Sequence, residues 1–142
     1  MQTIRQLLDR KGDEVWTIGA DASVYAAVEL MAKKEVGALV VVDGARPVGI
    51  VSERDYARKV ILAGRSSKKA HVADIMTTEV VHVAPEATVD ECMVLMTERR
   101  IRHLPVVSEG RLIGMISIGD LVKTIIEEQK FVIEQLESYI AG

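Results

Sequence analysis

Ser52 and Asp55 stand three residues apart, directly after the apolar run Gly49-Ile50-Val51. Ser117 and Asp120 repeat that spacing after Gly114-Met115-Ile116. Each stretch reads as a short strand running into the first turn of a helix. A Ser at such a junction can accept a bond from a first-turn N–H, and an acid three residues on can bond back. The same corner also presents a hydroxyl, free backbone N–H groups and a carboxylate, which together can hold a ribose and its phosphate. A single copy argues for a helix cap. Two copies in equivalent places argue for a site.

Other chemistry-bearing residues are weighed beside this pair. Arg54, Arg58 and Lys59 surround the first Ser-x-x-Asp, whereas Ile118 and Gly119 remove the charge from the second. Arg99, Arg100, Arg102 and His103 form a basic cluster, in which Arg99 and Arg100 read as a solvated helix end. His71, His82 and His103 lack metal-ligand spacing, so no metal is expected. Cys92 is the only cysteine and falls on an apolar helix face, so core packing is its expected role. Ser66, Ser67 and Lys68 read as loop. No nucleophile stands at recognisable spacing from a base, which argues against an enzyme.

The elements that must position these groups follow from periodicity. Residues 1–14 predict a short amphipathic helix and Val15–Ile18 a strand. Asp21–Ser23 caps a helix with Val24, Ala27, Val28 and Met31 on one face. Leu39–Val42 and Val48–Val51 are strands about an Asp43-Gly44 turn, and Ser52 opens a helix to about Leu62. After the polar linker 64–69 and a helical turn at Val72–Met76, the pattern restarts. Val80–Val83 is a strand, Thr88 and Glu91 a capping box, and Val89, Cys92, Met93 and Met96 a helix face. Pro105–Val107 and Leu112–Ile116 are strands about Glu109-Gly110, and Ser117 opens the last helix.

The two halves align without a gap at an offset of 65, with 12 identities in the 42 positions 15–56 against 80–121. Unrelated sequence gives roughly one identity in fifteen, so this is an internal repeat. Each unit reads β-α-β-β-α and is too small to bury its sheet alone, so the two should pack sheet against sheet. The division is 8–62, linker 63–72, 73–126 and a tail 127–142. The fold class is α/β (α+β) with an extended C-terminal helix. Its stripe of Val122, Ile125, Ile126, Val132, Ile133, Leu136, Tyr139 and Ile140 should pack on another subunit or back on the body.

Composition bounds the remainder. The chain has 142 residues, 49% hydrophobic and 27% charged, with a net charge of −3. That is ordinary for a globular domain, and the charge gives no reason to bind nucleic acid. Met1–Val15 carries charges throughout, and the longest aliphatic run, Ala38–Val42, is too short for a bilayer. No membrane association and a cytoplasmic location are expected.

Two β-α-β-β-α units, each ending in Gly-apolar-apolar-Ser-x-x-Asp, resemble a pair of CBS domains, and Ile101-Arg102-His103-Leu104-Pro105-Val106-Val107 is similar to that family's second strand. No effector domain is attached, so the resemblance is to the stand-alone bacterial type. It implies a tandem module with two clefts that take adenosyl compounds such as AMP, ADP, ATP, NAD or S-adenosylmethionine. The Asp would bind ribose and the Ser phosphate, with the base against the other unit's strand edges. One cleft would combine Ser52 and Asp55 with His82, Ile101, Arg102 and His103. The other would combine Ser117 and Asp120 with Thr17, Val36, Gly37 and Ala38. Val51 and Ile116 would pack on the base. Arg54, Arg58 and Arg102 should give the first cleft the more highly phosphorylated ligand, and the second, small and uncharged, at most a monophosphate. The family also implies a homodimer. The leading expectation is a non-catalytic nucleotide sensor acting on an unknown effector protein. The runner-up is a structural dimerisation module with unused clefts.

Overall fold

The computed structural model describes residues 2–141. Helix α1 (Ile4–Lys11) is followed by β1 (Thr17–Gly19), α2 (Val24–Lys34), β2 (Ala38–Asp43), β3 (Arg46–Ser52) and α3 (Glu53–Tyr56), which continues as a π-helical turn at Ala57–Ile61. Helix α4 (Val72–Ile75) then leads to α5 (Val89–Arg99), β4 (His103–Ser108), β5 (Arg111–Ser117) and α6 (Ile118–Ala141). In the first unit β1 lies parallel to β2, which pairs antiparallel with β3. In the second, β4 pairs antiparallel with β5 in the equivalent register, including the same irregularity after the fourth pair. Contacts between β3 and β5 join the two units.

Two expectations are corrected. Val80–Val83 is not a strand; only Val83 bridges to Val106. The cause is Pro105. In the first unit the Val40 N–H donates to the Trp16 carbonyl. The equivalent residue, Pro105, has no N–H, so that rung of the ladder cannot form. Two bonds survive, from the Val83 N–H to the Pro105 carbonyl and from the Val107 N–H to the Val83 carbonyl. The helix opened by Ser52 is likewise not regular to Leu62. It widens so that the Leu62 N–H reaches the Ala57 carbonyl, one residue further back than in an α-helix.

The core forms two clusters, and their membership does not follow the chain. Ile4, Leu7 and Leu8 of α1 pack with Val89, Cys92, Met96, Leu104 and Ile116 of the second unit. Val72 and Ile75 of α4 pack with Val24, Met31, Leu39 and Val51 of the first. Each leading helix therefore caps the other repeat. Matching backbone bonds anchor the exchange: Ile4 N–H to the Ala87 carbonyl, and Val72 N–H to the Ala22 carbonyl. The repeated glycines lie where these leading segments come closest to the strands. A Cβ on Gly114 would lie 2.8 Å from both δ-carbons of Leu8, and one on Gly49 would lie 2.8 Å from Met76 Sδ. Cys92 is fully buried, and burial together with the neighbouring Glu91 charge pushes its thiol up to about 11.

Helix α6 rests on the body through Leu121 and Thr124, and every residue from Gln129 to Ala141 is exposed. Of the two coverings expected for its apolar stripe, the body supplies none for that segment. Among the described residues no helix is long and apolar enough to cross a membrane.

Candidate functional site

Both Ser-x-x-Asp pairs are helix caps. The Asp55 N–H donates to Ser52 Oγ at 3.2 Å, and the Ser52 N–H returns to Asp55 Oδ2 at 3.0 Å. The Asp120 N–H donates to Ser117 Oγ at 3.2 Å, and the Ser117 N–H returns to Asp120 Oδ2 at 2.8 Å. In each unit the first N–H of the helix is taken by a strand-entry carbonyl, Glu53 by Gly37 and Ile118 by Arg102. The caps thus fix two carboxylates at the mouths of two clefts between the units.

The first cleft has a volume of about 470 Å³. Its walls bring Ser52, Arg54, Asp55 and Arg58 of one unit against Ile101, Arg102 and His103 of the other, as expected from the sequence. They add Gly37, Ile50, Glu53, Lys59, Thr77, Glu79, Val81 and Arg100. Five arginine and lysine side chains face three carboxylates here, so the cleft is cationic. Lys59 is at 3.1 Å from Asp55 Oδ1 and donates to the Ile75 carbonyl at 2.8 Å.

The second cleft, about 590 Å³, is lined by Ser117, Asp120, Val36, Gly37 and Ala38, with Lys11, Gly12, Asp13, Glu14, Trp16, Glu35, His103 and Met115. The expectation that it is uncharged is corrected. Lys11 Nζ lies 2.6 Å from Asp120 Oδ2 and 2.6 Å from the Met115 carbonyl, while three further carboxylates line the walls. The cleft is acidic with one lysine in it. Partial burial would raise the Asp120 carboxyl, but the hydrogen bonds from Lys11 and Ser117 and the lysine charge hold it below its ordinary value. His103 lines both clefts. Burial, then the Lys11 and Arg102 charges, keep its imidazole below the usual histidine range despite the opposing Asp120.

Four expected residues fall elsewhere. Val51 and Ile116 are fully buried in the two cores, and their strand neighbours Ile50 and Met115 face the clefts instead. Alternation along a strand sends neighbours to opposite faces, and both neighbours here are apolar, so the sequence does not distinguish them. Thr17 and His82 are exposed, and the cleft residues at those edges are Trp16 and Val81. Trp16 also carries Lys34 Nζ over its ring at 4.2 Å.

Two of the cleft residues not expected from the sequence share an origin. Lys11 and Glu79 follow the exchanged helices, whose equivalence through Leu8 and Met76 runs at an offset of 68 and not 65. The gap-free repeat alignment therefore never pairs them. Glu35 and Arg100 offered a signal of another kind. Each ends a helix in the left-handed region, at φ 55° and 54°, where non-glycine residues are uncommon. The two face opposite clefts with opposite charges.

Comparison with known proteins identifies the fold. The CBS-domain model matches residues 4–61 and 72–127. A signal-transduction-type protein with CBS domains from Burkholderia ambifaria is 53% identical, with a TM-score of 0.87 over 90% of this chain and 96% of that one. The CBS-domain-containing protein ATU1752 from Agrobacterium tumefaciens is 41% identical, with a TM-score of 0.83 over 87% of this chain and 98% of that one. Among curated proteins, the mitochondrial CBSX3 of Arabidopsis thaliana is 44% identical over 99% of this chain and 72% of its own.

Proposed function

This chain belongs to the CBS-domain family and carries two of its domains in tandem, and from that premise we propose that it is a non-catalytic regulatory module that binds adenosine nucleotides between its units. One observation carries the reading. In the first cleft a capped helix start with Ser52 and Asp55 faces Arg100, Arg102 and His103 of the other unit. A carboxylate able to accept from ribose hydroxyls and a cluster of cations able to donate to phosphate line opposite walls of one cavity, which supports the reading. The ligand is AMP, ADP, ATP or NAD, and no metal takes part.

The clefts divide the work by charge. The cationic first cleft takes a ligand with two or more phosphates. The acidic second cleft takes at most a monophosphate, because a polyphosphate would face Asp13, Glu14 and Glu35. The units at 8–62 and 73–126 act as one clamp. The protein is a cytoplasmic homodimer that passes ligand occupancy to an effector protein. Calorimetric titration with AMP, ADP, ATP and NAD tests this; binding of ADP or ATP in preference to AMP at one site is expected. If none of the four binds, the clefts are unused.

A second reading has its own observation. Lys59 and Lys11 already occupy the two carboxylates. A chain whose cleft carboxylates are neutralised internally in this way serves as a dimerisation module alone. The same titration separates the two readings.

A further inference from the structure

The exposed half of α6 lies beyond residue 127, where the family match ends. It therefore lies outside the two repeats. One seam along it keeps heptad spacing and is apolar at every position but Gln129. Val122, Ile126, Gln129, Ile133, Leu136 and Ile140 are spaced 4-3-4-3-4. Isoleucine takes all three a positions, and Val122, Gln129 and Leu136 take the d positions. Ile133 is 53%, Leu136 57% and Ile140 83% exposed. Helical residues on a solvated face have no need of such a seam.

We infer that this face of α6 is a dimerisation surface whose partner is the same segment of a second copy of this chain, paired parallel and in register as a short coiled coil. The inference rests on the homodimer of the proposed function and not on its nucleotide. Three features select the partner and its direction. A 3.5-residue repeat is self-complementary, because an a/d seam fills the holes of another a/d seam, and isoleucine at every a position, with leucine among the d positions only at Leu136, is compatible with two parallel strands. In a parallel pair Gln129 meets Gln129 of the second copy, and the two amides can bond to each other. In an antiparallel pair Gln129 faces an isoleucine and its amide is buried unpaired. The antiparallel arrangement gains Lys123 against Glu137, but an exposed ion pair contributes less than an unpaired buried amide costs. Third, Val132 and Tyr139 flank the seam on one side, so the apolar face is wide enough to be closed on itself. Phe131 falls on the opposite side and stays outside.

The seam from Val122 to Ile140 extends about 28 Å at 1.5 Å per residue. A coil this short is marginal alone. Here α6 is already nucleated on the body by Leu121 and Thr124. Val122 and Ile126 carry the stripe onto that anchored part, 40% and 47% exposed.

The test uses the full chain, a chain ending at Glu127, Ile133→Glu and Leu136→Cys. Light scattering is expected to give a dimer for the full chain and a monomer for the truncated chain and for Ile133→Glu at the same micromolar concentration. Ile133 is exposed, so its substitution reports on association even if the truncated chain folds poorly. Leu136→Cys is expected to form a disulfide dimer under mild oxidation, since parallel register sets the two sulfurs side by side. In an antiparallel pair they would sit about 15 Å apart along the axis. A monomeric full chain overturns the homodimer and this inference together. A dimer that survives both truncation and Ile133→Glu leaves the homodimer standing and overturns the coil. Loss of the dimer in those variants without a Leu136→Cys disulfide overturns the parallel register.

Discussion

Asp55 does two jobs in the proposed reading, and substitution separates them. Its Oδ2 caps α3 through the Ser52 N–H, and its Oδ1 faces Lys59, with the side chain 15% exposed. Asp55→Ala keeps the Ser52 N-cap and removes the return bond of the capping box, which costs about 0.5–1.5 kcal/mol. For a chain of this size that is a fall in Tm of about 2–6 °C. The lost ion pair adds little, because Lys59 is half exposed and keeps the Ile75 carbonyl. Losing a charged hydrogen bond to ribose costs a further ~1.5–3 kcal/mol in binding, or about tenfold to 150-fold in Kd. Asp55→Asn keeps an oxygen to accept the Ser52 N–H but loses the charge. It should therefore hold Tm near the parent value while weakening ADP binding by at least about tenfold. Calorimetric titration with ADP and thermal unfolding on the same three proteins give both quantities. If Asp55→Ala lowers Tm while both variants bind ADP within twofold of the parent, Asp55 is a helix cap and nothing more.

Further outcomes are expected. Lys11→Ala should raise the Asp120 carboxyl toward its ordinary value. A depressed carboxyl contributes stability above its unfolded pKa of about 4 and loses it as pH falls through the folded value. The Tm of Lys11→Ala should thus lie below the parent's at pH 6 and converge with it toward pH 3; parallel curves would dissociate the lysine from Asp120. His103 is held below its ordinary pKa, so protonating it works against the fold. Stability should fall as pH drops below about 6.5, and His103→Asn should flatten that limb of a Tm–pH profile. Because an anion in the first cleft favours the imidazolium, ADP affinity of the parent should rise over the same interval; a pH-independent affinity would remove His103 from the phosphate site. Gly114→Ala sets a methyl 2.8 Å from the Leu8 δ-carbons and should cost about 1–3 kcal/mol. Combined with Leu8→Ala it should cost less than the sum, and an additive double-mutant cycle would refute the close approach.

Much of this molecule is set by local rules that a sequence carries openly. The 65-residue repeat, the helix faces of Val24 to Met31 and Val89 to Met96, and the two Ser-x-x-Asp caps all depend on neighbours within a few positions. Periodicity and capping chemistry therefore locate them. Even the loss of a strand at Val80–Val83 was latent in Pro105, a residue that cannot donate to a ladder.

Tertiary structure decided the rest. Which of two adjacent apolar residues looks into a cleft depends on strand register against another strand, so Ile50 and Val51 exchange the roles expected of them. The exchange of α1 and α4 between the units is a packing choice between two equivalent partners, and no local pattern records it. That exchange carries Lys11 to Asp120 and Glu79 into the first cleft. The charge of each cleft, on which its ligand turns, is assembled from residues distant in the chain, Glu53 with Arg102 in the first and Lys11 with Asp120 in the second, that meet only once both units have closed.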